Sequence, residues 1–264
     1  MRTKTISLAT RAMGLVLASI LLLAGRAVGG EIRVMSSGGF TAPYEEVVPE
    51  YERATQSKVV TSYGASMGGA PDSIPMRLAR GEPADVVILA STALDELIQQ
   101  GKVVAGSRVD LVRSSIGMAV RSGAPKPDIT SVDALKRTLR QAKSIAYSSS
   151  ASGIYLSTEL FPRLGIADQI KGKSQRIASE RVGTVVARGD AEIGFQQISE
   201  LLPIEGIDYV GPLPPEVQRV TVFSAGVAVG AKDPDAARAL IKFLASPAVH
   251  SAIRKSGLEP VTSD

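Results

Sequence analysis

The chain has 264 residues, 44% hydrophobic and 21% charged, with 25 Gly, 15 Pro, one His and no Cys. That apolar content excludes a disordered protein, while the missing Cys excludes disulfide scaffolds, thiol catalysis and thiolate zinc sites. The formal charge of +4 is carried by residues 1–30, where Arg2, Lys4, Arg11 and Arg26 stand without an acid. The remainder holds 26 basic and 26 acidic residues, and the whole chain has 4% aromatics and no Trp, so neither electrostatics nor stacking points to nucleic acid.

Residues 1–30 read as a secretory signal peptide. A basic start precedes the apolar run Gly14–Ala24, and small residues follow at Ala27, Val28, Gly29 and Gly30. The run is about half the length a bilayer-spanning helix needs. Cleavage near Gly29 or Gly30 is expected to release a soluble, exported protein.

The next elements alternate. Ile32–Met35 reads as a strand, and Thr41–Gln56 as a helix capped by Thr41, with Pro43, Glu45 and Glu46 near its start and Tyr44, Val47, Val48 and Tyr51 on one face. Lys58–Tyr63 reads as a strand, Ile74–Arg80 as a short helix, Asp85–Leu89 as a strand buried on both faces, and Thr92–Gln100 as a helix. Strands are expected at Ile116–Val120, Ser144–Tyr147, Glu192–Phe195, Ile207–Gly211 and Thr221–Gly230. Helices are expected at Val132–Ala142, Ile154–Leu164, Glu180–Ala187, Asp235–Leu244 and Pro247–Lys255. Strand, crossover helix and strand repeated this often predict an α/β fold with mostly parallel sheets. The Pro/Gly-bearing loop at residues 121–127 and the long strand Thr221–Gly230 suggest two lobes joined by a hinge across a cleft. Residues 31–115 and 226–264 would form lobe 1, and residues 116–225 lobe 2.

Three loops rich in Ser and Gly stand between a strand and a helix start: Ser36-Ser37-Gly38-Gly39, Ser66-Met67-Gly68-Gly69 and Ser148 through Gly153, which includes Ser150 and Ser152. Unpaired N–H groups at a helix start favour an anion, Gly admits close backbone approach and Ser adds a hydroxyl donor. Such loops fall at the carboxyl ends of strands, where open α/β sheets bind ligands. Arg77, Arg80, Arg121 and Arg181 are each able to grip a carboxylate, and the residue pattern by itself does not single out one of them for the cleft. No dinucleotide fingerprint or P-loop is present, His250 sits in the last helical pattern, and no cofactor or metal is implied.

The chain resembles the type II periplasmic solute-binding proteins, specifically the molybdate-binding branch of ABC-type importers. The resemblance rests on Arg77 through Val86 (RLARGEPADV), Ser152-Gly153-Ile154-Tyr155, Gly189 through Phe195 (GDAEIGF), and Lys242 through Pro247 followed by Gly257-Leu258. It implies two α/β lobes closing on a small anion, an importer as membrane partner, and by default a monomer. The site departs from the molybdate pattern: Gly39 stands where the family's first loop has an oxyanion-binding Ser, Ser66 is retained, and Gln196-Gln197 replaces a Tyr. Losing two donors while gaining room at Gly39 favours a di- or tricarboxylate over molybdate. The same residues look like the branch that includes periplasmic aconitate isomerase, the alternative to a binding protein. The resulting ligand set is Ser36, Ser37, Gly38, Gly39, Ser66, Met67, Ser150, Ser152, Gly153, Arg181, Gln196 and Gln197. No catalytic residue is assigned. A base for a proton shift would come from Ser37, Tyr155, Glu180 or a perturbed Lys.

Overall fold

A computed structural model of the protein describes residues 30–262, so the expected signal peptide lies outside the described residues except for Gly30. Two sheets organise the chain. The first contains β1 (Glu31–Ser36), β2 (Lys58–Tyr63), β3 (Val86–Ala90), β4 (Val109–Ser114), β10 (Thr221–Val227) and β11 (Glu259–Pro260), in the order β11-β4-β10-β3-β1-β2. The second contains β5 (Ile116–Arg121), β6 (Ile145–Ser148), β7 (Ser174–Ile177), β8 (Ile193–Gln197) and β9 (Ile207–Pro212), in the order β7-β6-β8-β5-β9. Helices pack on both sheets, giving the two-lobed type II arrangement.

Side-chain alternation explains why each sheet is covered on both faces. In β3, Val86, Ile88 and Ala90 join the core formed with the helices Thr41–Thr55 and Pro234–Leu244. Val87 and Leu89 point the other way, into a second core with Ile74, Leu78, Leu94 and Leu97. All five β3 residues are buried, as their continuous apolar run predicts. In the second lobe, Ile193 and Phe195 of β8 face one core, while Gly194 admits Val182 and Val186 of the helix Val182–Arg188 on the other.

The sheets are mixed rather than mostly parallel. β1 pairs in parallel with β2 and β3, and β6 with β7 and β8, but β10 and β5 pair antiparallel with both of their neighbours. These reversals follow from the chain leaving one lobe and returning to it. The outward crossing is the single residue between Ser114 and Ile116. The return is made by the irregular segment 213–220, with a short 3₁₀ turn at Pro215–Val217. β10 itself does not cross, because Thr221 already pairs with Ser114; we therefore propose that lobe 2 ends near residue 220 rather than 225.

Three strands carry no clear pattern in the sequence. β4 is interrupted by Asp110 and Arg113 and exists through its pairing with β10, reinforced by a 2.7 Å hydrogen bond from Ser224 Oγ to Asp110. β7 is a polar edge strand, and β11 has only two residues. The helix Thr41–Thr55 is not capped by Thr41: Phe40 holds the cap position without a side-chain bond, and Thr41 Oγ1 donates to the Ser37 carbonyl at 3.4 Å. Glu45 and Glu46 fall in its second turn. Among the described residues no helix is long and apolar enough to cross a membrane.

Candidate functional site

A cleft of about 250 Å³ lies where the carboxyl ends of β1, β2, β6, β7 and β8 converge. Nine of the twelve expected ligand residues line it: Ser37, Gly38, Gly39, Ser66, Ser150, Ser152, Arg181, Gln196 and Gln197. Ser36, Met67 and Gly153 do not. Ser36 is buried at the end of β1, with its hydroxyl turned to the Ser37 carbonyl at 3.4 Å. Met67 packs against the two cores of the first lobe. Gly153 serves packing, because a Cβ there would run into the Ser148 carbonyl.

The hydroxyls are arranged to give protons. Ser66 Oγ accepts the Ala90 N–H at 2.9 Å, which leaves its own proton for a ligand. Ser37 Oγ is buried with no hydrogen-bond partner among the described residues. Ser148 and Ser152 hydroxyls lie 3.0 Å apart, so one of the two always retains a proton for another acceptor. Arg181 precedes the helix Val182–Arg188 and lines the cleft; among the described residues its guanidinium enters no ion pair. Arg77, by contrast, is held by Glu82.

Both glutamines are spent within the protein. Gln197 Oε1 accepts from Ser114 Oγ at 2.8 Å and its Nε2 donates to Thr221 Oγ1 at 3.0 Å. It thereby ties the second lobe to both first-lobe strands at the crossing, which makes it a structural clamp more than a ligand donor. Gln197→Leu would leave the fully buried Ser114 hydroxyl unpaired, so a loss of about 2–3 kcal/mol is expected, visible as a melting temperature lowered by several degrees; an unchanged melting curve would refute the clamp. Gln196 Oε1 accepts the Val182 N–H at 2.8 Å and its Nε2 donates to Glu200 Oε1 at 2.9 Å.

The room expected at Gly39 is filled. A Cβ at that position would overlap the ring of Phe223, which itself lines the cleft. Phe223 sits beside a register shift in the β10–β4 pairing, a device that re-aims side chains. Gly38 has a different neighbour, since its missing Cβ gives space to the carboxyl of Glu200.

Glu200 is the residue the sequence did not single out. It sits on the short helix Ile198–Leu201, which follows β8 and presses against the first lobe, with Ser199 Oγ donating to the Gly39 carbonyl at 2.8 Å. Burial between the lobes pushes the Glu200 carboxyl up to about 7, against the opposing pull of Arg181 and the Gln196 amide. The candidate bases from the sequence are less apt. Glu180 lines the cleft but is paired to Arg188, which holds its carboxyl below the usual range. Tyr155 is absent from the lining; its hydroxyl donates to the Val217 carbonyl at 2.7 Å and burial raises its pKa. Among the described residues no Lys lines the cleft. Tyr63 and Glu45 stand on the first-lobe wall, where burial and the Glu45 carboxylate raise the Tyr63 phenol. Among the described residues no group of three or more His, Cys, Asp or Glu is placed to hold a metal ion.

Two lobes with an anion-suited cleft between them define a solute-binding protein, and the chain belongs to the bacterial extracellular solute-binding protein family, whose sequence pattern matches residues 32–259. Its relatives within that family are molybdate-binding-like. The chain is 51% identical over 255 residues to an aconitate isomerase from Pseudomonas sp, covering 96% of this chain and 97% of that one. It is 29% identical over 246 residues to the molybdate-binding protein ModA of Azotobacter vinelandii, covering 89% and 92%. In three dimensions it is similar to the Azotobacter vinelandii periplasmic molybdate-binding protein, with a TM-score of 0.70 at 20% identity over 88% of this chain and all of that one. The sulfate-binding protein SubI from Mycobacterium tuberculosis H37Rv gives 0.67 at 20% identity over 88% and 87%.

Proposed function

We propose that the protein is an aconitate isomerase, and that the observation separating it from a transport receptor is Glu200, a carboxyl in the cleft with a pKa near neutrality. A receptor needs no group poised to take and return a proton beside its ligand. A proton shift requires one. The 51% identity to the Pseudomonas aconitate isomerase, over 96% of this chain, supports the same reading.

The chemistry follows from the residues. Ionised Glu200 takes a proton from the methylene carbon of aconitate. The C–H electron pair spreads through the adjacent C=C into a carboxylate, forming a dienolate. Protonated Glu200 returns the proton at the former vinyl carbon, and the double bond moves by one position. Cis and trans forms interconvert without rotation about a double bond, and no oxidant or reductant is consumed. Arg181, the hydroxyls of Ser37, Ser66 and Ser152, and the N–H groups at the start of the helix Thr41–Thr55 would hold the carboxylates and the charge that develops on them. Gly38 permits Glu200 to stand close to that helix start.

Cleavage of residues 1–30 would place the mature enzyme in the periplasm as a monomer, and the reaction calls for no cofactor. The alternative, a receptor passing a di- or tricarboxylate to an ABC-type importer, is supported by the family. Incubating the mature protein with cis-aconitate and following trans-aconitate by chromatography separates them. Catalytic turnover is expected. A thermal shift with aconitate or citrate but no turnover would instead establish the receptor, and a shift with molybdate alone would reject the carboxylate ligand.

A further inference from the structure

We propose that Gln196 is a positioning residue for the proton shift: its carboxamide engages one oxygen of Glu200, leaves the other for the substrate, and ties that carboxyl to the helix start beside Arg181. The inference rests on the isomerase reading and extends it to a residue whose amide is held between Val182 and Glu200.

The amide orientation is fixed from both ends. The Val182 backbone N–H can only donate, so the Gln196 atom 2.8 Å from it must be the oxygen. The nitrogen then faces Glu200 Oε1 at 2.9 Å, where it meets an acceptor. A flipped amide would set donor against donor at Val182 and acceptor against carboxylate at Glu200. Gln196 is 4% exposed and its side chain is thus held without room to choose. Glu200 Oε1 is further confined by the Gly38 backbone, whereas Oε2 has no protein hydrogen bond among the described residues. A proton removed from substrate therefore settles on Oε2, the oxygen from which it is returned. Gln197, next in sequence, contributes nothing here because both ends of its amide are taken at the crossing.

The charged surroundings of Glu200 bear on any titration. Arg181 favours its ionised form. Glu45, Asp72 and Glu180 are the other acids of the cleft, and Glu180 is balanced by Arg188. On the packed helices, Glu46 is paired with Lys255. The Gln196 amide is thus the one neutral donor fixed on the carboxyl.

Two variants separate positioning from mere support. Gln196→Met loses both bonds. Gln196→Glu keeps an acceptor for the Val182 N–H but loses the donor to Glu200. In both, kcat for trans-aconitate is expected to fall by about 10- to 100-fold with KM changed by less than about threefold, and the acid limb of kcat/KM is expected to move to higher pH. Recovery of wild-type kcat and pH profile in Gln196→Glu would overturn the proposal, since it would show that only the helix-start contact matters. Should the wild-type protein show no turnover, the isomerase reading fails on its own. The Glu200 carboxyl is then titrated by ¹³C NMR in wild type and Gln196→Met: an upward displacement in the variant upholds the positioning contact, and coincident curves overturn it.

Discussion

Replacing Glu200 by Gln is expected to lower turnover of aconitate by about 10³-fold or more while making the folded protein more stable at neutral and alkaline pH. The loss follows from removing the proton acceptor without altering shape: the Gln oxygen still accepts from Gln196, and the Gly38 loop still has its neighbour. The gain follows from linkage. Burial raises the folded-state pKa to about 7, above the ordinary carboxyl value of an unfolded chain, so folding binds a proton at intermediate pH. The resulting cost is absent below about pH 4, grows between about pH 4.5 and 7, and is full above that range. Discounted for the partial exposure of the side chain, it comes to about 2–3 kcal/mol. Glu200→Gln should therefore melt several degrees above wild type at pH 8, and the two curves should converge near pH 4. A variant that retains turnover removes Glu200 from the reaction; one that melts identically at both pH values refutes its buried, uncharged burden. On the isomerase reading, kcat/KM of the wild-type protein should rise with pH through the neutral range as this group ionises.

Arg181→Gln is expected to produce the second-largest effect. Among the described residues Arg181 is the one basic residue that lines the cleft, and a charge-assisted contact to a carboxylate contributes about 1.5–3 kcal/mol. KM for aconitate should rise by roughly 10- to 100-fold on that range, and the dependence of binding on ionic strength should flatten. Because Arg181 also favours the ionised form of Glu200, the acid limb of the pH profile should move upward in the same variant. Isothermal titration with citrate and a pH series of initial rates would read both. Unchanged affinity would mean that hydroxyls and backbone N–H groups hold the anion unaided.

How much of this was legible beforehand differs between fold and site. The apolar run of β3 and the amphipathic spacing of Tyr44, Val47, Val48 and Tyr51 announced their elements, because their packing is written in adjacent residues. β4 was not legible, since Asp110 and Arg113 break its pattern and its partner β10 lies more than a hundred residues away. The Ser/Gly loops marked three walls of the cleft for a local reason, the chemistry of strand-to-helix turns. Glu200 gave no such mark. Four residues after Gln196 and between Ser199 and Leu201, it reads as an ordinary solvated helix position. Its burial comes from Gly38 in the other lobe, a juxtaposition that only the folded chain creates. The glutamines line the cleft, yet their amides turn to Val182, Glu200, Ser114 and Thr221, partners no local pattern specifies.

The contact between Gly39 and the ring of Phe223 has a corollary. A serine at position 39 would drive its Cβ into the aromatic ring, so such a side chain fits only if Phe223 moves or is replaced. A smaller residue at position 223 would by itself open a void beside the core of the first lobe. The two changes are each unfavourable singly and compatible only together. In such a pair, what fits at one position is set by what stands at the other.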